Sequence, residues 1–176
     1  GDGGIGVDVG WRLPPTAFGN FGYALLCSET MADVMQLCQR FWHLVGRGVS
    51  LSVQEHGDLC VIDVATVAAL PDPFSHLIYD ATLTSLCRGF QLLIATPVTD
   101  MEIWFEFPTP DYAGNVTSRL GCVRYGMPSN QFRFPKKYLN TRLGMHNPTG
   151  LKFAIEQCER EEALLDVTQN KMLAKV

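Results

Sequence analysis

Val49-Ser50-Leu51-Ser52-Val53, the turn His56-Gly57-Asp58, and the run from Leu59 to Val67 decide the fold class of this chain. The first stretch alternates apolar with polar residues, the pattern of a half-buried strand, and the Gly-Asp turn sends the chain back as a second strand. Directly upstream, Met31, Val34, Met35, Cys38, Phe41, Trp42 and Val45 recur at helical spacing. Thr30 is placed to cap that helix, with Asp33 three positions on as the acid of a capping box, and Gly46 and Gly48 stop it. A helix running into an antiparallel hairpin predicts a sheet with a helix folded over it.

Working outward, Pro71-Asp72-Pro73 breaks the chain, and Phe74 to about Ala95 predicts a long helix with Leu77, Ile78, Ala81, Leu83, Leu86, Phe90 and Leu93 on more than one face. A helix apolar around much of its girth is buried or sits at an interface. Met101 to Phe107 reads as a strand ended by Pro108 and Pro110. Asp111 is positioned to cap a short helix that Gly121 terminates. Val123–Tyr125 and Gln131–Phe134 read as two further strands joined by the Met127-Pro128-Ser129-Asn130 turn. Asn147-Pro148 starts the last helix, with Leu151, Ala154, Ile155 and Cys158 on its buried side and Glu156, Glu159, Glu161 and Glu162 on its wet side. Toward the other end, Gly22–Cys27 reads as a buried strand, and residues 1–15 as a linker or strand edge. The expected fold is α+β, a mainly antiparallel sheet with helices packed on one side, in the order β-α-β-β-α-β-α-β-β-α.

Composition narrows the function classes. The 176 residues are 47% apolar and 18% charged, which describes one globular domain with a substantial core. Net charge is −4, and no basic cluster exceeds Lys136-Lys137, so the chain has no footprint for binding nucleic acid by itself. Gly1-Asp2-Gly3-Gly4 carries no targeting signal, and Lys171-Met172-Leu173-Ala174-Lys175-Val176 ends without a helix stop, the expectation for a segment from inside a longer protein. No apolar run is long enough to span a membrane.

Little in the chain points to catalysis. The six cysteines (27, 38, 60, 87, 122 and 158) never stand within ten residues of each other, which excludes a Cys-x-x-Cys site. Their apolar surroundings predict reduced, buried thiols in a cytosolic protein. His43, His56, His76 and His146 form no metal-ligand spacing, and no metal or cofactor is expected. Glu102 and Glu106 share a strand face, and paired carboxylates can do acid–base work, but a solvated or partner-facing sheet surface is the better explanation of them. Arg124 stands on a strand between Gly121 and Gly126, where its guanidinium could grip a carboxylate in a bidentate contact or pair with a neighbouring acid. A ligand pocket would be walled mostly by apolar and aromatic residues. Trp42, Tyr79, Trp104 and Arg124 are the candidate ligand-binding residues.

One further signal is an ordered set of short motifs: Gly22-Tyr23-Ala24-Leu25-Leu26-Cys27-Ser28-Glu29-Thr30-Met31, then Phe107-Pro108-Thr109-Pro110-Asp111-Tyr112, then Leu120-Gly121-Cys122-Val123-Arg124-Tyr125-Gly126, then Phe132-Arg133-Phe134-Pro135. Together, from about Pro14 to Cys158, they resemble the N-terminal effector domains of a subset of AraC-type transcription regulators, the arabinose-binding-domain-like group that includes ornithine-utilisation-type regulators. The element order differs from the strand-rich jelly roll of the sugar-binding regulators that give the family its name, which separates the resemblance from any claim of sugar binding. What the resemblance implies is a sensor for a small-molecule effector, such as an amino acid or another carboxylate, and a homodimerisation surface, in a cytoplasmic protein. It also implies DNA contact only through a helix-turn-helix domain outside this chain. On that reading residues 16–165 are the sensing and dimerisation domain and 166–176 begin the linker to the DNA-binding part. Two alternatives stay open at this point: a small cytosolic hydrolase or isomerase using a Cys or a carboxylate, and a dimerisation module without a ligand.

Overall fold

The computed structural model describes residues 4–176. Strands β1 (Val49–His56) and β2 (Leu59–Thr66) form the expected hairpin, in the register Leu51↔Val64, Ser52↔Asp63 and Val53↔Ile62. Residues opposite one another share a face of the sheet. Leu51, Val53, Ile62 and Val64 therefore turn together toward the helices, and Ser52 and Asp63 turn away. On its other edge β2 pairs antiparallel with β5 (Asn130–Pro135), where Cys60 faces Phe134 and Ile62 faces Phe132.

Between the hairpin and β5, the chain makes the long helix α4 (Asp72–Ile94), the short strand β3 (Glu102–Trp104), α5 (Ala113–Leu120) and β4 (Cys122–Arg124). The sheet order is β1-β2-β5-β3-β4. All neighbours are antiparallel except β3 and β4, which run parallel. The expected β4–β5 hairpin is thus replaced by β3 lying between them. Parallel neighbours need a crossover connection, and α5 supplies it.

Three further expectations are corrected. Gly22–Cys27, read as a strand, lies in helix α2 (Gly19–Cys27). A six-residue apolar run carries no periodicity that separates the two states. What selects the helix is packing: α2 lies against the Pro15–Phe18 3-10 turn so closely that a Cβ on Gly22 would fall 1.6 Å from the Pro15 carbonyl oxygen. Residues 5–12 of the supposed linker form helix α1 (Ile5–Arg12), which packs on α4, while Gly1–Gly3 fall outside the described residues. Asp111 makes no cap on α5, whose N-cap position is Tyr112.

The capping box on α3 (Met31–Phe41) forms as its sequence requires. Thr30 Oγ1 accepts from the Asp33 N–H at 3.3 Å and Asp33 Oδ2 accepts from the Thr30 N–H at 3.1 Å, an arrangement worth about 1 kcal/mol. Asn147 caps α6 (Pro148–Leu173) through Gly150 N–H at 2.9 Å, and this helix runs through the expected 165/166 boundary. Helix α3 packs on β1, α4 on β2 and β5, and α2 bridges α3 and α6. The core is the layer between sheet and helices, where Phe41, Phe105, Phe132, Phe134 and Leu83 are fully buried; each such side chain contributes about 1.5–3 kcal/mol by leaving water. The sheet's other face carries polar side chains.

Candidate apolar effector cleft

The helix layer encloses an apolar cleft with about 60 Å³ of free volume. Phe18, Phe21 and Leu25 wall it from the α2 side, Met31, Met35, Cys38 and Trp42 from α3 and its 3-10 extension, Leu86, Gly89, Phe90 and Leu93 from α4, and Ile62 and Phe132 from the sheet. Leu13 and Pro15, in the segment leading to α2, complete the wall. Among the described residues, the sole side-chain hydroxyl in the wall belongs to Ser85. An apolar concavity with few polar groups is the usual form of a small-molecule site.

Trp42 is fixed in this wall by its own chemistry. Its indole N–H donates to the Val49 carbonyl at 3.0 Å, and its ring meets Phe21 edge to face. Gly89 lies mid-helix, where glycine costs about 1 kcal/mol relative to alanine. A Cβ there would meet no atom within 4 Å, so the space it would occupy opens on the cleft. Periodicity alone pointed to Trp42; Gly89 and Ser85 were missed, although a lone glycine inside a strong helical pattern is a signal that something approaches or enters there.

The other three candidate residues stand elsewhere. Trp104 and Arg124 come together on the outer face of the sheet: Glu102 Oε1 accepts from the Trp104 indole N–H at 2.6 Å and from Arg124 Nε at 3.0 Å. Arg133 stacks over the Trp104 ring, 3.8 Å from its centre, and donates to Gln131 at 2.6 Å; Gln131 in turn donates to Asp63 at 2.9 Å. Of the two roles open to Arg124, the structure shows the pairing with a neighbouring acid. Tyr79 ties α4 to the end of β2: its hydroxyl accepts from the Thr66 N–H at 3.0 Å. Glu106 does not face Glu102. It follows the end of β3, where its N–H donates to the buried Asn130 at 2.9 Å.

Four of the buried thiols are poor nucleophiles. Burial pushes Cys38 and Cys87 up to about 12 and Cys60 and Cys158 up to about 11, so they stay protonated at neutral pH. Among the described residues no group of three or more His, Cys, Asp or Glu could hold a metal ion, and no helix is long and apolar enough to cross a membrane.

Comparison with known proteins agrees with this architecture. A family described as the arabinose-binding domain of AraC transcription regulator, N-term, matches residues 1–143. The chain is 26% identical over 179 residues to an ornithine utilization regulator of Pseudomonas aeruginosa, covering 100% of this chain and 52% of that protein. It is likewise 26% identical over 175 residues to an uncharacterized HTH-type transcriptional regulator of Mycobacterium tuberculosis, covering 90% of this chain and 47% of that one. The chain therefore spans about half the length of these relatives. The crystal structure of the transcriptional regulator CdpR from Pseudomonas aeruginosa superposes with a TM-score of 0.76 at 16% identity, over 94% of this chain and 59% of that one, a likeness of fold. With most of its length matched by the family, the chain belongs to the N-terminal arabinose-binding domains of AraC transcription regulators.

Proposed function

We propose that this chain senses a small metabolite in the Trp42 cleft and passes its occupancy to a helix-turn-helix DNA-binding domain of the same regulator. Gly89 carries the reading: a helix-weakening residue leaves open space on an otherwise apolar wall. The effector has an apolar body lying against Trp42, Phe90 and Phe132, and a small polar group within reach of Ser85. The free volume is narrow at rest, so entry requires outward movement of the Pro15–Phe18 turn that forms part of the wall.

Coupling follows from connectivity. Helix α2 lines the cleft on one side and packs against α6 on the other, joined by the Asn20–Glu161 hydrogen bond at 2.7 Å. An effector that binds one placement of α2 more tightly shifts the population of α6 positions by that difference in affinity. The exposed Leu164 and Val167 of α6 make its far half a surface for a second copy in a homodimer. Leu86 and Phe90, by contrast, belong to the cleft wall.

A thermal-shift panel of apolar metabolites on wild type and on Gly89→Met tests the site. Methionine favours helix and fills irregular gaps. A saturable stabilisation of wild type that disappears in the folded Gly89→Met protein supports the reading. No stabilising compound, or one that stabilises both proteins equally, speaks against it.

A further inference from the structure

At the other end of α4 lies a second cavity, of about 270 Å³, which shares no wall residue with the Trp42 cleft. Asp72, His76 and Asp80 stand at i, i+4 and i+8 on one stripe of the helix, and Ile5, Leu77 and Tyr112 complete most of the wall. The chemistry is unlike the first site: two carboxylates and an imidazole around a short apolar strip.

Asp80 is the unusual member, only 2% exposed. Its Oδ2 accepts from the Tyr112 hydroxyl at 2.5 Å, while its Oδ1 is buried with no hydrogen-bond partner. Two further buried oxygens without a partner belong to Thr84, one turn along α4, and to Tyr125. A buried carboxylate without full pairing is costly, and burial pushes Asp80 up from 3.8 to about 6. The close seating of α1 keeps it dry: a Cβ on Gly6 would lie 2.6 Å from the Leu77 carbonyl oxygen and one on Gly10 would lie 2.4 Å from that of Ala81. A core built only for packing would be expected to place an apolar residue here. The position instead holds a carboxylate with one oxygen, Oδ1, left without a donor, in a residue that lines a cavity large enough for a small molecule.

We propose that this cavity binds a small organic amine, whose ammonium group is held by Asp80 and whose carbon chain lies along Ile5 and Leu77 toward Asp72. An ammonium has three donors and no acceptor, which complements a wall whose deepest group only accepts. This site is separate from the effector cleft, so its failure would leave that reading untouched.

The test is an amide-resolved NMR titration of the chain with ethylamine and with 1,4-diaminobutane at pH 7.5, using 1,4-butanediol as the neutral control. The expected result is a saturable shift at the Gly6, Leu77 and Asp80 amides with the amines and none with the diol. Asp80→Asn, which keeps the shape and the acceptor for Tyr112, is expected to weaken amine binding tenfold or more. Should that variant fail to fold, Ile5→Trp narrows the cavity from an exposed position and is expected to give the same loss. The proposal is overturned if neither amine shifts those amides saturably, if the diol does so equally, or if the folded variant binds within twofold of wild type.

Discussion

Trp42 and Phe21 meet edge to face, ring centroids 6.5 Å apart at 79°, at the corner where α2 faces the end of α3. Trp42 also ties that corner to β1 through the Val49 carbonyl. Replacing Trp42 by Ala removes the ring contact, the hydrogen bond and part of the cleft wall. Full burial would make the loss about 3–5 kcal/mol; for this half-buried ring the expected cost is about 2–3 kcal/mol, read from urea unfolding. Trp42→Phe is expected to cost clearly less.

Gly89→Ala makes the opposite prediction. The added methyl meets nothing within 4 Å, and the helix gains from the better former, so stability should rise by about 0.5–1 kcal/mol. A loss of stability in denaturant unfolding would show that the space beside Gly89 is occupied by packing.

Asp80 sets a pH dependence whose sign is opposite to that of most carboxylates. Its folded value, about 6, lies above the ordinary 3.8, so between these values the folded state holds a proton that the unfolded chain has released. Stability therefore falls as pH rises through this window, by up to about 3 kcal/mol, and levels off above it. Asp80→Asn should remove that slope and raise the melting temperature at pH 7.5. Parallel slopes in the two proteins between pH 4 and 6 would contradict the assignment.

The Arg124–Glu102 pair should matter little to stability. Arg124 is 61% exposed at its side chain, and an exposed pair is worth at most about 1 kcal/mol. Arg124→Met is expected to unfold within that margin of wild type. It should also keep any compound bound in the cleft, because the pair lies on the opposite face of the sheet.

The layered architecture was legible because its strongest signals are local. Alternation from Val49 to Val53, the Thr30–Asp33 box and the Asn147-Pro148 start each state their own structure. The identity of α2 and the insertion of β3 between β5 and β4 were not legible, since both are decided by partners distant in sequence: helix α6 packed on α2 for one, and the pairing of β5 with both β2 and β3 for the other. The cleft was half legible. Trp42 follows from helical spacing, but Ser85 and Gly89 gain meaning only once α4 is seen to face α2 and α3. Asp80 was overlooked because one acid in an apolar helix resembles a solvated position until the glycine-tight seating of α1 over it is known.

The central claim is that the Trp42 cleft holds an effector. Native mass spectrometry of the chain after incubation with a cell extract of compounds below about 1 kDa, set beside Gly89→Met treated identically, tests it most directly. The account predicts one added non-covalent mass of a few hundred daltons on wild type and none on the folded variant. The same adduct on both proteins, or none on either, would contradict it.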